Sequence, residues 1–348
     1  MSEFNFSFPI TMLGPRSVGK TSMIASMRNE FDRVCNNVAL QLVPDPTTGT
    51  ELNRAMEELK RMCACRVGEY PRPTIKQTVK HSEYTLELYH VSSEAAMRVV
   101  FHDYPVEWLR NSTGRVHELL SQAAIILVAL DVPALMDLDD DQHEELNQPA
   151  DISDALARAF KDDNADVRER IVLFVPMRGE KWLQNGEPEA IWQKFRKRFA
   201  SAERTLKAHK KRVSVAFLPI QTLGAVHYAG YNWRKRESRF QKVHAEYCPA
   251  GCDQPLRYSL SYMLRMMARM AESQGRDIVE VIAKRGLAER LYMWAKCLLG
   301  GRDVESGEMA RWFERSKELL EAISDFATGC RQDPPFLIIQ DSARLLSD

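Results

Sequence analysis

Nine consecutive residues near the start of the chain, GPRSVGKTS from Gly14 to Ser22, have the spacing of a phosphate-binding loop. Two glycines five positions apart are followed directly by Lys20 and Thr21. Glycines let the backbone turn its amides towards phosphate oxygens, and the N-terminus of a following helix adds partial positive charge. The lysine supplies a point charge for the β- and γ-phosphates, and the threonine hydroxyl can bind Mg²⁺. The predicted nucleotide-binding residues of this segment are Gly14, Ser17, Val18, Gly19, Lys20, Thr21 and Ser22.

A phosphate-binding loop of this kind needs a carboxylate to complete the metal site. Asp103 comes at the end of an apolar run that begins at Met97 and includes Val99, Val100 and Phe101. An aspartate at the end of a buried strand can also be a simple helix cap. Because Asp103 follows a phosphate-binding loop in the chain, it is predicted to hold Mg²⁺ together with Thr21.

The elements around these residues can be predicted from the apolar pattern. The run FPITML, from Phe8 to Leu13, predicts a buried strand that ends at the loop, and helical spacing predicts a helix from about Lys20. Alternating apolar residues around 84–88 and an apolar run at 97–101 predict two further strands. The short stretch 89–96 is too short for a parallel crossover, which needs about a dozen residues. These two strands are therefore expected to form an antiparallel pair.

Downstream, predicted helices alternate with short apolar strands. Helices around 115–122, 155–160 and 187–211 are each followed by a strand, at 123–130, 171–175 and 213–218. This alternation predicts an α/β fold with a doubly wound, mostly parallel sheet.

The remaining segments are less regular. Thr48 and Glu51 have the spacing of a capping box before a second helix. Insertions are expected near 132–150, as an exposed acidic loop, and near 224–255. The domain carrying the phosphate-binding loop is predicted to span 1–275, with a C-terminal helical extension over 276–348. Within that extension, Phe336 to Ile339 are expected to dock as a short strand or apolar tail.

Taken in order, these motifs resemble a known protein class. The phosphate-binding loop, the antiparallel strand pair, D-x-P-x, R-x-E and P-I-Q-T resemble the P-loop small GTPases of the translation-factor-related class. The stretches DYPVEW, VPMRGEKW, PIQTLG and DQPLRYSLSYMLR are similar, more narrowly, to bacterial double-GTPase (DO-GTPase) type proteins. The general resemblance covers about residues 6–273 without the two insertions. It implies a GTPase-like fold, binding of GTP or GDP with Mg²⁺, and a switch that reports the γ-phosphate.

The resemblance also implies a site for the base. GTPases have N/T-K-x-D at the end of the strand equivalent to 171–175; here Arg178 and Glu180 match the cation and the carboxylate, while Met177 replaces the asparagine. Glu180 would accept hydrogen bonds from guanine, and Arg178 would cover the ring. The next strand leads to Gln221 and Thr222, whose backbone amides can reach guanine O6. A backbone contact of this kind leaves almost no signature, and an ordinary turn fits the same residues.

The catalytic candidates depart from the family pattern. The D-x-x-G motif becomes Asp103-Tyr104-Pro105-Val106, and Glu107 occupies the position of the water-orienting glutamine of Ras-like proteins. A carboxylate beside a γ-phosphate is repelled, so Glu107 is expected to position water poorly. Arg16 lies where Ras-like proteins carry glycine; it either obstructs hydrolysis or acts as an internal arginine finger. Thr74 is favoured as the switch threonine, with Thr78 as the alternative.

The sequence therefore predicts a GTP-binding switch with slow or partner-dependent hydrolysis. A nucleotide-binding adaptor without hydrolysis is the alternative, and a P-loop ATPase is a third, less favoured hypothesis. Lys and Arg (48) balance Asp and Glu (48), so the composition carries no signal for nucleic acid or membrane. A protein partner of unknown identity is expected. An odd count of 7 cysteines fits a reducing cytoplasm.

Overall fold

The computed structural model describes the chain in stretches that include the predicted phosphate-binding loop, apart from Arg16, and most of the predicted strands. These stretches are residues 6–15, 17–35, 39–72, 82–92, 96–104, 120, 123–161, 170–232, 234, 237–272, 315, 317–328 and 337–342. The predicted helix at 115–122 lies outside them except for Leu120.

An eight-stranded sheet forms the centre of the fold, in the order β10-β7-β6-β5-β1-β4-β3-β2. Its strands are β1 (Phe6–Leu13), β2 (Leu40–Pro44), β3 (Ser82–His90), β4 (Ala96–Asp103), β5 (Ile125–Asp131), β6 (Arg170–Met177), β7 (Val213–Phe217) and β10 (Leu337–Gln340). The five neighbours from β7 to β4 pair in parallel. β5 and β6 are buried along their whole length because helices cover both faces of the sheet.

The outer strands pair antiparallel. β3 and β4 form the predicted antiparallel pair, with Tyr84 opposite Phe101 and Ser82 opposite Asp103. β2, which the sequence reading missed, pairs with β3 as the edge strand. β10 pairs with β7 at the opposite edge, which confirms the strand expected at the C-terminal end.

Helices pack on both faces of the sheet, as the α/β prediction requires. They are α1 (Lys20–Val34), α2 (Pro46–Ala64), α3 (Val132–Asp137), α4 (Asp140–Asn147), α5 (Pro149–Lys161), α6 (Glu180–Gln184), α7 (Pro188–Arg198), α8 (Ala200–Ala208), α9 (Gln254–Glu272) and α10 (Lys317–Thr328). One core cluster joins β1 and β4 to α1, α9 and α10, and a second joins β5 and β6 to α5, α7 and α8. Among the helices that the structure describes, none has the length and apolar character needed to cross a bilayer.

The acidic segment predicted as an exposed loop at 132–149 is instead helical. Asp131 caps α3 by accepting from the amide of Ala134, and Asp139 caps α4 by accepting from that of Gln142. The prediction was wrong because the acidic residues start helices, while the apolar face of α3 is buried.

Two further helix predictions need correction. α2 begins at Pro46 with Asp45 as its cap, because the Asp45 carboxylate accepts from the amides of Thr47 and Thr48. The proposed capping box at Thr48 and Glu51 is therefore one turn too late. The single helix expected over 187–211 is divided into α7 and α8 at Phe199.

The aperiodic segment after residue 224 contains a separate antiparallel hairpin. Its strands are β8 (Val226–Asn232) and β9 (Glu237–Lys242). Alternation of apolar and polar residues is not evident in the sequence, because the pairing register shifts between Tyr228 and Gly230.

The C-terminal elements pack against the body of the fold. Phe326 of α10 meets Phe31 of α1, with the ring centroids 4.9 Å apart. The guanidinium of Arg257 in α9 lies 4.7 Å from the Phe326 centroid. Leu319 and Ile323 are completely buried in the same cluster, so α10 is part of the core around α1.

Candidate functional site

The candidate residues gather at one edge of the sheet. In parallel strands the carboxyl ends lie side by side, and here Met12 is opposite Asp103 while Asp131 is opposite Met177. The end of β4 and the segments following β1, β6 and β7 therefore meet at this edge. These segments carry the residues predicted for the phosphates, the metal and the base.

Backbone geometry explains the glycines of the loop between β1 and α1. Gly14 has φ +137°, and a Cβ there would lie 2.6 Å from the carbonyl oxygen of Ala129. Gly19 has φ +108° and is the N-cap of α1. Ser17 also has a positive φ, of 57°. Gly14, Ser17 and Gly19 thus have backbone conformations with positive φ, which residues other than glycine rarely adopt.

Lys20 connects the loop to β4. Its Nζ donates to the carbonyl oxygens of Gly14 at 2.9 Å and Pro15 at 3.2 Å. It also forms an ion pair with Asp103 Oδ1 at 3.2 Å, with the two side chains only 8% and 2% exposed. The ammonium is thereby fixed between the loop and the end of β4.

Thr21 has a partner that sequence reading did not identify. Its hydroxyl shares a hydrogen bond of 2.9 Å with the hydroxyl of Tyr84, which is buried on β3. Burial raises the pKa of Tyr84, the hydrogen bond with Thr21 opposes this rise, and the charge of Asp103 adds to it. The alternation of β3 marks Tyr84 as buried but gives no sign that its hydroxyl reaches α1.

These groups suit a hard divalent cation. The Thr21 hydroxyl and the Asp103 carboxylate are oxygen donors, the ligand type that Mg²⁺ prefers. Lys20 precedes Thr21 and contacts Asp103, which brings the carboxylate to the first turn of α1. The donor set therefore fits Mg²⁺.

Glu180 holds the segment after β7. It is 3% exposed, and its Oε1 accepts from the amide of Leu223 at 3.2 Å. Burial raises the pKa of Glu180, while its own amide, those of Leu223 and Gly224, and the charge of Arg178 oppose the rise. The carboxylate thus joins the start of α6 to the 221–224 segment.

A pH-dependent stability is expected from this burial. The folded-state pKa of Glu180 lies above its ordinary value of 4.5, so its contribution is fully present below that value. The contribution is lost as the pH rises through the folded pKa. We expect the free energy of unfolding of the wild type to fall relative to Glu180→Gln as the pH rises above 4.5. Urea unfolding of both proteins at several pH values between about 4 and 8 tests this. A difference in unfolding free energy that stays constant with pH would contradict it.

Arg178 is directed towards the hairpin and α3. Its guanidinium donates to Asp131 Oδ2 at 2.9 Å and lies 5.7 Å from the centroid of Phe240 in β9. The residue has φ 62°, so the backbone after β6 turns sharply. Met177, one position earlier, packs its Cε 3.3 Å from where a Cβ of Gly19 would be. An apolar contact therefore joins this segment to the loop after β1.

Gln184, at the end of α6, has a side chain that bonds to several residues at once, which the sequence did not indicate. Its Nε2 donates to Gln221 Oε1 at 2.8 Å and to the carbonyl oxygen of Gly224 at 2.6 Å. Its Oε1 lies 2.8 Å from Nε2 of both His227 and His244. The hairpin is connected in this way to the 221–224 segment.

A second link joins this segment to α1. Ser26 Oγ donates to the carbonyl oxygen of Thr222 at 3.2 Å and lies 3.0 Å from the hydroxyl of Tyr247. Ser26 is fully buried. Gln221 pairs with Ala250 through both of its backbone groups. Polar contacts with α1, α6 and residue 250 therefore fix the 221–224 segment.

The other predicted residues have the following positions. Within the loop and first turn, Val18 and Ser22 are buried and Ser17 is exposed. Arg16, Thr74, Thr78 and Glu107 lie outside the described residues. The structure thus brings together the predicted phosphate, metal and base residues, without describing the catalytic candidates.

Comparisons with protein-family models and with curated proteins found no relative of the chain. The chain matches no protein-family model, and no curated protein is significantly similar to it in sequence. Any functional assignment must therefore be argued from the residues and the geometry of the site.

Proposed function

We propose that the protein is a GTP-binding molecular switch that requires Mg²⁺ and hydrolyses GTP slowly or with the help of a partner. The observation that carries the proposal is the contact of Lys20 with both the glycine loop and Asp103, at the carboxyl edge of a parallel sheet. A phosphate-binding motif between a buried strand and a helix is the context in which such loops bind nucleotides.

The chain offers a group for each part of a triphosphate. The loop from Gly14 to Gly19 leads into the N-terminus of α1, where amides and the helix dipole favour anions. Lys20 would exchange its carbonyl contacts for phosphate oxygens. Thr21 and Asp103 would hold Mg²⁺, which supplies neutralisation of the charge that develops during phosphoryl transfer.

Guanine selection is the second part of the proposal. Glu180 Oε1 already accepts from Leu223, but a carboxylate has acceptor sites for about four hydrogen bonds. In the proposed complex it would keep the contact with Leu223 and accept from guanine N1 and N2 in place of the other amides. The amide of Thr222 belongs to the same segment and is the proposed donor to guanine O6.

Two alternatives remain to be separated from this proposal. A nucleotide-binding adaptor would use the same groups without hydrolysis, and the departures at Val106 and Glu107 from the GTPase pattern favour it. A P-loop ATPase would not need Glu180 at the base. In both alternatives Lys20 would still be required for binding.

The proposal is tested with purified protein, GTP and ATP. We expect Mg²⁺-dependent binding of GTP in preference to ATP, with phosphate release faster than that of Lys20→Ala. Tight GTP binding with release no faster than the mutant would support the adaptor, and a preference for ATP would overturn the guanine assignment.

Glu180→Ala tests the base assignment directly. We expect its preference for GTP over ATP to fall by at least about tenfold, because charged hydrogen bonds to guanine are lost. Exposed Glu189 in α7 offers a matched control, and Glu189→Ala should leave the preference unchanged. Unaltered selectivity in Glu180→Ala would refute guanine recognition by this residue.

A further inference from the structure

The hydroxyl of Tyr84 is hydrogen-bonded to the side chain of Thr21. It lies 2.9 Å from Thr21 Oγ1, and Tyr84 is only 2% exposed. The aromatic ring would pack equally well without the hydroxyl, as a phenylalanine. The phenolic oxygen therefore has a role that packing alone does not explain.

The strand register puts this hydroxyl beside the proposed metal ligands. Tyr84 is opposite Phe101 and Ser82 is opposite Asp103, so Tyr84 is the diagonal neighbour of Asp103 on the same face of the sheet. Ser82 precedes Tyr84 by two residues, so its side chain lies on the same face of β3. The hydroxyls of Thr21 and Tyr84 thus connect α1 to β3 next to Asp103.

A hydroxyl that binds a cation through its oxygen must send its proton elsewhere. A positive charge at Thr21 Oγ1 repels a proton donated to that oxygen, and it strengthens donation by the Thr21 O–H. Tyr84 Oη lies within hydrogen-bond distance of Thr21 Oγ1, at 2.9 Å, and can accept this hydrogen bond. Lys20, the other neighbour in the first turn, carries donors only.

We propose that Tyr84 is a positioning residue that accepts a hydrogen bond from the Thr21 hydroxyl and so orients the Thr21 oxygen towards Mg²⁺. This inference rests on the proposed function, because it concerns the same metal site. Tyr84 acts through Thr21 and does not contact the nucleotide. It also ties metal binding to β3, the strand that begins at Ser82.

The test measures the affinity for a non-hydrolysable GTP analogue with excess Mg²⁺ and again with EDTA. The ratio of the two affinities gives the contribution of Mg²⁺. We expect Tyr84→Phe to lower this ratio about tenfold, the effect of losing one hydrogen bond, and to leave the affinity in EDTA unchanged. An unchanged ratio, or an equal loss of affinity in EDTA, would overturn the inference.

Tyr89→Phe is the matched control. Tyr89 is on the same strand but bonds to Glu87 on the opposite face, so its ratio should equal that of the wild type. If the wild type itself does not bind the analogue, the proposed function fails, and the inference fails with it. Wild-type binding with an unaltered ratio in Tyr84→Phe refutes the inference alone.

A double-mutant cycle separates positioning from a general structural effect. In Thr21→Val the metal-binding hydroxyl is absent, so adding Tyr84→Phe should not lower the Mg²⁺ ratio further. A further tenfold decrease in this background would show that Tyr84 acts independently of Thr21, against the proposal. Thermal unfolding of each variant identifies any that has lost its fold, and the cycle then uses Thr21→Ala in place of Thr21→Val.

Discussion

Replacing Lys20 with alanine is expected to lower the affinity for GTP by at least about 100-fold. The ammonium has two carbonyl partners and one carboxylate partner in the structure, at 2.9, 3.2 and 3.2 Å. In the proposed complex it would exchange carbonyl contacts for phosphate oxygens, and each charged hydrogen bond contributes about 1.5–3 kcal/mol. Fluorescence titration with a labelled GTP analogue measures the loss.

A stability effect must be separated from this binding effect. Lys20→Ala removes the ion-pair partner of the buried Asp103 carboxylate, at a cost of about 3 kcal/mol. The double variant Lys20→Ala with Asp103→Asn removes both charges, so we expect it to recover much of the stability without recovering GTP binding. Retained nanomolar or micromolar GTP affinity in a folded Lys20→Ala protein would contradict the proposed site. Lys60→Ala, at an exposed position of α2, is the neutral control.

Replacing Gly224 with alanine is expected to destabilise the fold by about 3–5 kcal/mol. The added Cβ would lie 1.8 Å from the carbonyl oxygen of Cys248, which is a backbone atom, and the residue has φ +66°. Relieving this overlap requires the 221–224 segment to separate from residue 248. The contacts made by Gln184 to Gly224 and by Cys248 to Leu223 would then be lost. Urea unfolding measures the change.

Gly186→Ala separates the clash from the backbone strain. Gly186 has a similar φ of +76°, but nothing lies within 4 Å of a Cβ added there. Its substitution should cost about 1 kcal/mol, from the left-handed conformation alone. Equal destabilisation by the two substitutions would show that the overlap with Cys248 does not contribute, which would contradict this explanation.

Much of the fold could be predicted from local patterns. The buried strands, the start of α1 at Lys20 and the antiparallel pairing of β3 with β4 follow from apolar spacing and connection length. The wrong predictions also arose from local patterns. Charged residues between 132 and 149 suggested a loop, although Asp131 and Asp139 cap helices, and Asp45 was overlooked as the cap of α2.

The site was only partly predictable. The motif assigned Lys20 to the phosphates and Asp103 to the metal, and the structure brings their side chains to 3.2 Å. Gln184, His227 and His244 have no motif, and their common contact arises because α6 and the hairpin meet beside the 221–224 segment. Arg178 was expected to cover a base, and the structure shows its guanidinium paired with Asp131.

By itself, the sequence determined the turn after β1 and the helix that follows it, because both depend on consecutive residues, and it predicted a phosphate-binding loop there. Only the tertiary structure decided which distant side chains complete the site. Tyr84 meets Thr21 across 63 residues, and Glu180 meets Leu223 across 43. Such contacts depend on strand order, register and packing, and apolar periodicity records that a side chain is buried without recording its partner.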